Sequence, residues 1–388
     1  MANQVYGNGA NSSAGANTIV HYYDRAGIKA ANRENTYGQF ASRKMMPTKM
    51  GKTFKVSKFL HMYDRTLVDG EFSAKGFLTA RTADEVSTSL TGATLAEGAG
   101  AVNQRALEKV TVEATLARYG EMIAYTDEVD LFSEDSIQVK YREELGELAG
   151  SRMEDLIQLD MLGTSTVMYS GAAVSKATVG ASSAADGSND SDWKVSYPLI
   201  TKAVRKLVRN RAKKNTSIIS GSTKVGTTPV AKSFYAIIGA DVKADLENLT
   251  RGAGAEKEFV YSPLHKYGTA AEAAQGEVGA MHEVRFIESE GAVVYEGEGA
   301  TLPGSYVGGL ANDGTKFNVY PIIFPTQDSF ATVGLKGMGK IKFNSKSPAS
   351  VENSNPYATN GFFSYNFFYA GLILEEEKLL VTYVAASA

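Results

Sequence analysis

The sequence predicts an α+β fold, and three patterns predict it. Between Ser133 and Gly163 apolar residues recur at helical spacing over an unusual length. Two stretches, 53–60 and 107–116, alternate apolar and polar residues as half-buried strands do, with about 45 residues lacking a core pattern between them. In the second half, short apolar strands alternate with short helical stretches.

The helix carries the first argument. Ile137, Tyr141, Leu145, Leu148, Met153, Leu156, Leu159 and Leu162 fall on one broad face. Ser133 can cap its start, and Glu134 and Asp135 suit the positive end of the helix dipole. Gly163 can end it in the left-handed conformation. At 1.5 Å per residue its length is about 45 Å. Gly146 and Gly150 cost up to about 1 kcal/mol each, or let another backbone pass closely. Such a helix is a strut that needs a partner surface along its length; the plainer reading is an ordinary core helix.

Composition narrows the rest. The 388 residues with 43% hydrophobic content suffice for one large domain or two to three modest ones. A net charge of −3 gives the whole molecule no polyanion-binding character. With no cysteine, disulfides and thiolate metal sites are excluded. His21, His61, His265 and His282 show no metal-ligand spacing, so no cofactor is expected. There is no signal-peptide pattern at the start, and no apolar stretch approaches the 18 or so residues of a membrane span.

In chain order, residues 1–18 are small and polar and read as a flexible arm. Residues 22–46 are weakly helical up to Pro47 and read as an arm lying on another surface. Strands 53–60 (Phe54, Val56, Phe59) and 107–116 (Leu107, Val110, Val112, Leu116) bracket a long protruding hairpin or loop. Ordering that loop costs roughly 1–2 kcal/mol per residue, which a lone two-stranded hairpin does not offset. Its charges, Arg65, Asp69, Glu71, Lys75, Arg81, Asp84, Glu85 and Arg105, have both signs and suit contacts between identical copies. Residues 118–127 read as a strand with a turn at Gly120, and 165–193 as a flexible linker or surface insertion.

Residues 196–215 form an amphipathic helix with Pro198 in the first turn and Leu199, Ala203, Leu207 and Val208 as its apolar face. Lys202, Arg205, Lys206, Arg209, Arg211, Lys213 and Lys214 supply positive charge without an acid. Arg205, Arg209 and Arg211 are the candidate nucleic-acid contacts. The plainer reading is a solvated face whose cations gather at the negative helix end. Strands follow at 217–220, 234–238, 284–289, 292–296, 317–324 and 329–335, with a short helix at 240–249. The last segment holds two more strands, the first aromatic and buried on both faces, pairing back near the long helix.

No motif asks for catalysis. Gly334 to Lys340 imitates a phosphate-binding loop, but Ile341 cannot supply the magnesium-binding hydroxyl and a strand follows instead of a helix. Gly51-Lys52-Thr53 lacks the first glycine, since position 46 is Met. There is no GxSxG, HExxH or EF-hand loop. The pairs Glu143–Glu144 and Glu375–Glu377 read as solvated surface charge.

Several segments, taken in order, resemble the major capsid proteins of tailed bacteriophages, and most of all the schitovirus-type podophage branch. They are 114–127 (ATLARYGEMIAYTD), 160–163 at the end of the long helix, 207–212 (LVRNRA), 235–246 (YAIIGADVKADL), 276–289 (GEVGAMHEVRFIES) and 320–335 (YPIIFPTQDSFATVGL). Gly239-Ala240 and His282-Glu283 depart from the family's usual His-Pro and glycine. The resemblance implies the fold shared by tailed-phage and herpesvirus shells. Residues 1–50 would be an N-terminal arm and 51–112 an extended loop. Residues 113–190 would be a peripheral domain with the spine helix, 191–344 an axial domain, and 345–388 a return to the peripheral domain. It also implies a non-enzymatic virion protein assembled in the host cytoplasm. Copies of itself would form hexamers and pentamers of an icosahedral shell around double-stranded DNA. Scaffold, portal and decoration proteins are the further partners it implies, with no membrane. A soluble protein that binds nucleic acid through the basic helix is the alternative.

Overall fold

The structure, a computed structural model, describes residues 36–59, 83–91, 93–98, 109–132, 137–219, 227–250, 260–261, 274–336, 341–349 and 355–388. Strands β1 (Ser42–Met46) and β2 (Thr53–Phe59) precede helix α1 (Ala83–Thr91). Then come β3 (Lys109–Thr115), β4 (Ala117–Thr126), α2 (Asp127–Phe132) and the long α3 (Ile137–Leu162). The middle of the chain holds β5 (Val167–Tyr169), α4 (Tyr197–Arg209), β6 (Asn215–Ile219), β7 (Thr227–Ile238) and α5 (Ala240–Glu247). Strands β8 (Val260–Tyr261), β9 (Glu277–Met281), β10 (Val284–Glu288) and β11 (Tyr320–Phe324) follow. The last four are β12 (Phe330–Leu335), β13 (Lys342–Lys346), β14 (Asn360–Ile373) and β15 (Leu380–Val384).

The central sheet runs β5-β15-β11-β7-β10-β9-β8, with β6 also on β7. Its strands are apolar at consecutive positions because both faces are covered. Side chains alternate between faces, so each strand feeds two cores. Phe234, Phe286, Ile322 and Phe324 pack with Leu199, Ile200, Ala203, Val204 and Leu207 of α4 and with Val242 and Leu246 of α5. Tyr235, Ile237, Ile287, Ile323, Val381 and Tyr383 point the other way, into a core shared with Ile157 and Met161 of α3. The mixed directions follow from the register. β10 is parallel to β7 (Phe286↔Ala236), β15 is antiparallel to β11 (Thr382↔Ile322), and β5 is parallel to β15 (Val167↔Val381).

A second sheet is built around β14. It pairs with β4 over ten positions, from Asn360↔Thr126 to Tyr369↔Ala117. It also pairs with β13 (Phe343↔Tyr365) and, through its last residues, with β12 (Val333↔Ala370). β1 adds in parallel to β12. Phe363, Tyr365, Phe367 and Tyr369 alternate into the core that α3 covers, and Tyr141 of α3 meets the Phe363 ring at 6.4 Å. The intervening β14 residues are half-buried, so this strand buries one face fully and not both.

Several expectations change. The stripe of α3 is kept in part: Leu145 and Leu162 are buried, and Tyr141, Leu148, Met153 and Leu156 pack partly buried on the same core. Ala149, Glu154, Ile157, Gln158 and Met161 join the buried face, and Leu159 is 56% exposed. Glu154 and Gln158 win places on that stripe because backbone groups are there to satisfy them. Gly163 is not left-handed. The helix instead tightens at its end, where Gly163 N donates to Asp160 O (3.2 Å) and Thr164 N to Met161 O (3.4 Å). A Cβ on Gly146 or Gly150 would meet nothing within 4 Å, so no described backbone crosses there.

Residues 165–193 are not a linker. They contain β5, two short 3-10 turns and the buried Val179, Asp190 and Trp193. Gly120 lies in the ladder opposite Asn366 and makes no turn; a Cβ there would come within 2.5 Å of Tyr365 O. Residues 292–296 form a single bridge, Tyr295↔Val319, and not a strand. On α4, Ile200 and Val204 are buried and Val208 is 54% exposed. Phe59 is exposed, whereas Glu375 and Glu377 are half-buried. The flexible arm 1–18, residues 19–35 and the segment 337–340 of the phosphate-loop imitation lie outside the described residues.

Candidate functional site: the assembly surfaces

The hairpin packs on the second sheet, with β3 against β14. β2 and β3 pair antiparallel with Val56 opposite Val112. Phe54, Val56, Val112 and Ala114 form its half-buried face, resting on Met46, Leu116, Val333, Ala370 and Leu372. The other face is exposed and carries the Lys55–Glu113 pair (2.7 Å). At the root, Leu116 N donates to Lys52 O (2.9 Å); at the other end of β2, Lys58 Nζ lies 3.5 Å from both Leu374 O and Glu375 Oε2. Arg65, Asp69, Glu71, Lys75, Arg81 and Arg105 lie outside the described residues, and Asp84 is exposed on α1.

The arm enters the body at a polar anchor. Tyr37 N and Gly38 N donate to Glu154 Oε2 of α3 (2.8 and 3.4 Å). Gln39 Nε2 donates to Thr36 O and Gln275 O, and its Oε1 accepts from Gln275 N. Gln158, with its amide turned to satisfy both ends, donates to Gly291 O (2.9 Å) and accepts from Val293 N (2.7 Å) and Tyr37 OH (2.8 Å). The Phe40 ring meets Tyr235 of the central sheet, tilted, at 5.0 Å. These residues tie arm, strut helix and sheet together.

Two carboxylates make further ties. Tyr369 OH of β14 donates to Asp160 Oδ2 of α3 at 2.7 Å. Burial pushes the Asp160 carboxyl up, against the pull of its bonds to Tyr369 and Gly371. Burial first, and then the Asp160 charge, pushes the Tyr369 hydroxyl up too. Asp190 accepts from Ser183 Oγ (3.0 Å), Tyr306 OH (2.7 Å) and Gly309 N (2.9 Å), which fastens 183–190 to the 306–309 turn. Tyr306 is pushed up to about 12, by burial and then by Asp190.

The basic helix α4 lays its apolar side on the central sheet. Arg205 and Arg209, one turn apart, are exposed, as is Arg211, which sits just past the helix end in the left-handed region (φ 55°). The structure does not gather all seven cations into one patch. Lys206 Nζ donates to Val167 O (3.1 Å), and Lys214 pairs with Glu283 (2.9 Å), holding that carboxyl below its ordinary range. Among the described residues there is no group of three or more potential metal ligands, and no helix long and apolar enough to cross a membrane.

No family model matches the chain. The major capsid protein of Pseudomonas phage KPP21 is 26% identical over 384 residues, 95% of this chain and 93% of that one. The capsid structure of Ralstonia phage GP4 matches with a TM-score of 0.59 at 10% identity, covering 98% of this chain and 99% of that chain. That of cyanophage P-SCSP1u gives 0.54 at 11% identity, with 97% of both chains covered. The capsid of cyanophage Pam1 gives 0.54 at 12% identity, covering 98% of this chain and 100% of that one. The chain has the tailed-phage major capsid fold. With the full-length likeness to a curated capsid protein, its role is that of a major capsid protein: a structural component of the virion head, not an enzyme.

In this capsid subunit, the ties that sequence reasoning missed are Glu154, Gln158, Asp160 and Asp190. Glu154 and Gln158 carried a faint signal, since they share the i, i+4 stripe with Ile157 and Met161. Their partners lie far off; Tyr37 is 117 positions from Glu154.

Proposed function

We propose that this subunit assembles as hexamers and pentamers into an icosahedral head shell around double-stranded DNA, in the schitovirus-type podophage branch. One observation carries the reading. The hairpin β2/β3 is a two-stranded ribbon laid on the body by one face with its other face exposed, and a two-stranded ribbon is marginal alone. A neighbouring copy supplies the missing surface. In this reading residues 1–50 are the arm, 51–112 the extended loop, 113–190 the peripheral domain, 191–344 the axial domain and 345–388 the return segment. Arg65, Asp69, Glu71, Lys75, Arg81 and Arg105 make the contacts between copies. Scaffold, portal and decoration proteins are further partners. The ordered sequence segments support the branch, and the ladder between β14 and β4 supports the return.

The test is deletion of residues 61–105. The variant should keep the wild-type unfolding transition yet give no closed shells by negative-stain electron microscopy and sedimentation velocity. Closed shells from the deletion variant would remove the loop from assembly. Arg205, Arg209 and Arg211 would face the packaged DNA, because two of them project from one exposed helix face. Changing all three to Ala should flatten the salt dependence of DNA binding by the subunit; a slope already flat in the wild type would end that assignment.

A further inference from the structure

A groove of about 410 Å³ lies between the first half of α3 and the β13–β14 ladder, lined by Leu145, Phe343, Asn344, Ser345, Phe363 and Ser364. Its floor is core: Leu145 and Phe363 are 2% and 4% exposed. Its outer wall is β13, which among the described residues pairs only with β14 and whose first four residues are exposed. Phe343 stands opposite the buried Tyr365 and so shares its α3-facing side, yet it is 56% exposed. An open strand edge beside an apolar groove is the arrangement that takes up an added strand. Main-chain bonds then supply affinity, and alternate side chains fill the groove.

We infer that this groove seats the chain's own residues 18–24, TIVHYYD, as an extra strand on β13. Three observations select that occupant. Within residues 1–35, Ile19, Val20, Tyr22 and Tyr23 form the largest cluster of β-branched and aromatic residues, ahead of the pair Val5-Tyr6, and alternate positions give apolar pairs on either side. The arm emerges beside the groove, because Tyr37 is bonded to Glu154 of α3 and the groove begins at Leu145 on the same helix. Nine helical residues span about 14 Å at 1.5 Å each, whereas residues 24–35 reach up to roughly 40 Å at 3.3 Å each. Finally, Asp24 brings a carboxylate to a strand edge that carries the exposed Lys342.

The inference concerns one subunit and stands apart from shell assembly. The chain has no cysteine, so an engineered pair is unambiguous. Tyr22→Cys with Ser345→Cys, in the full chain diluted until sedimentation shows monomers, should form an intramolecular disulfide under mild oxidation. A control pairs Tyr22→Cys with Val174→Cys, at a surface position 80% exposed. Docking should favour the first pair by about tenfold or more, since a seated strand exceeds the millimolar effective concentration of a free tether. Adding Phe343→Glu should erase that preference while leaving the thermal melt unchanged, because Phe343 adds little to the core. Equal rates for the two pairs would overturn the inference, as would a preference that survives Phe343→Glu. Covalent dimers in place of the internal bond would assign the groove to another copy's arm and overturn it as well.

Discussion

The central sheet and the hairpin β2/β3 are both β-structure, and they are stabilised in opposite ways. The central sheet is covered on both faces, and β11 and β15 are buried at every position. The hairpin has one half-buried face, one exposed face and, in the described residues, no third strand. At about 25 cal/mol per Å² of buried apolar area, the first gains from both faces and the second only from the face laid on Met46, Leu116, Val333, Ala370 and Leu372. A single chain thus contains one sheet buried on both faces and one ribbon buried on a single face.

The contrast can be broken most forcefully inside the sheet. Phe286→Ala empties a fully buried ring position and should cost about 3–5 kcal/mol in a denaturant titration. Glu154→Ala strands the Tyr37 and Gly38 amides in the core and should cost about 1–3 kcal/mol, most of it recovered by Glu154→Gln. Val112→Ala, on the half-buried hairpin face, should cost about 1 kcal/mol or less of subunit stability. Its larger consequence should appear as a slower rise of light scattering during assembly.

A subtler effect depends on pH. Burial raises the Asp160 carboxyl above its ordinary 3.8, so the ionised form is the one the fold penalises. Its contribution to stability is full below 3.8 and is lost as pH rises through the raised value. Asp160→Asn should remove that slope: melts across the mildly acidic range should shift in the variant's favour as pH increases, then level off. Smallest of all, Lys55→Ala opens a pair whose side chains are 63% and 58% exposed. It should change the denaturation midpoint by no more than the roughly 0.2–1 kcal/mol of an exposed pair, less at high salt.

Much of the architecture was legible because it is periodic. The helical stripe of α3, the alternation of β2 and β3 and the apolar runs of β7, β11 and β15 are local patterns, and the structure keeps them. Residues 165–193 were misread because small residues usually mark loops. Here they let backbone approach rings: Gly180, left-handed at φ 85°, lies against the Phe317 ring, where a Cβ would collide. The polar anchors were hidden for another reason. Glu154 and Asp190 look like surface acids until the partners on distant segments, Gly38 and Tyr306, are brought beside them. The charges of the 60–82 loop lie outside the described residues, so the candidate contacts there rest on sequence alone.

The place of β15 has a consequence for synthesis. Its neighbours in the sheet are β5, which is made more than half a chain earlier, and β11. Translation must pass residue 384 before this layer can close. A polypeptide released early, by a nonsense codon or a stalled ribosome, leaves two strand edges open in the middle of the body. Such a fragment lacks the strand that joins β5 to β11.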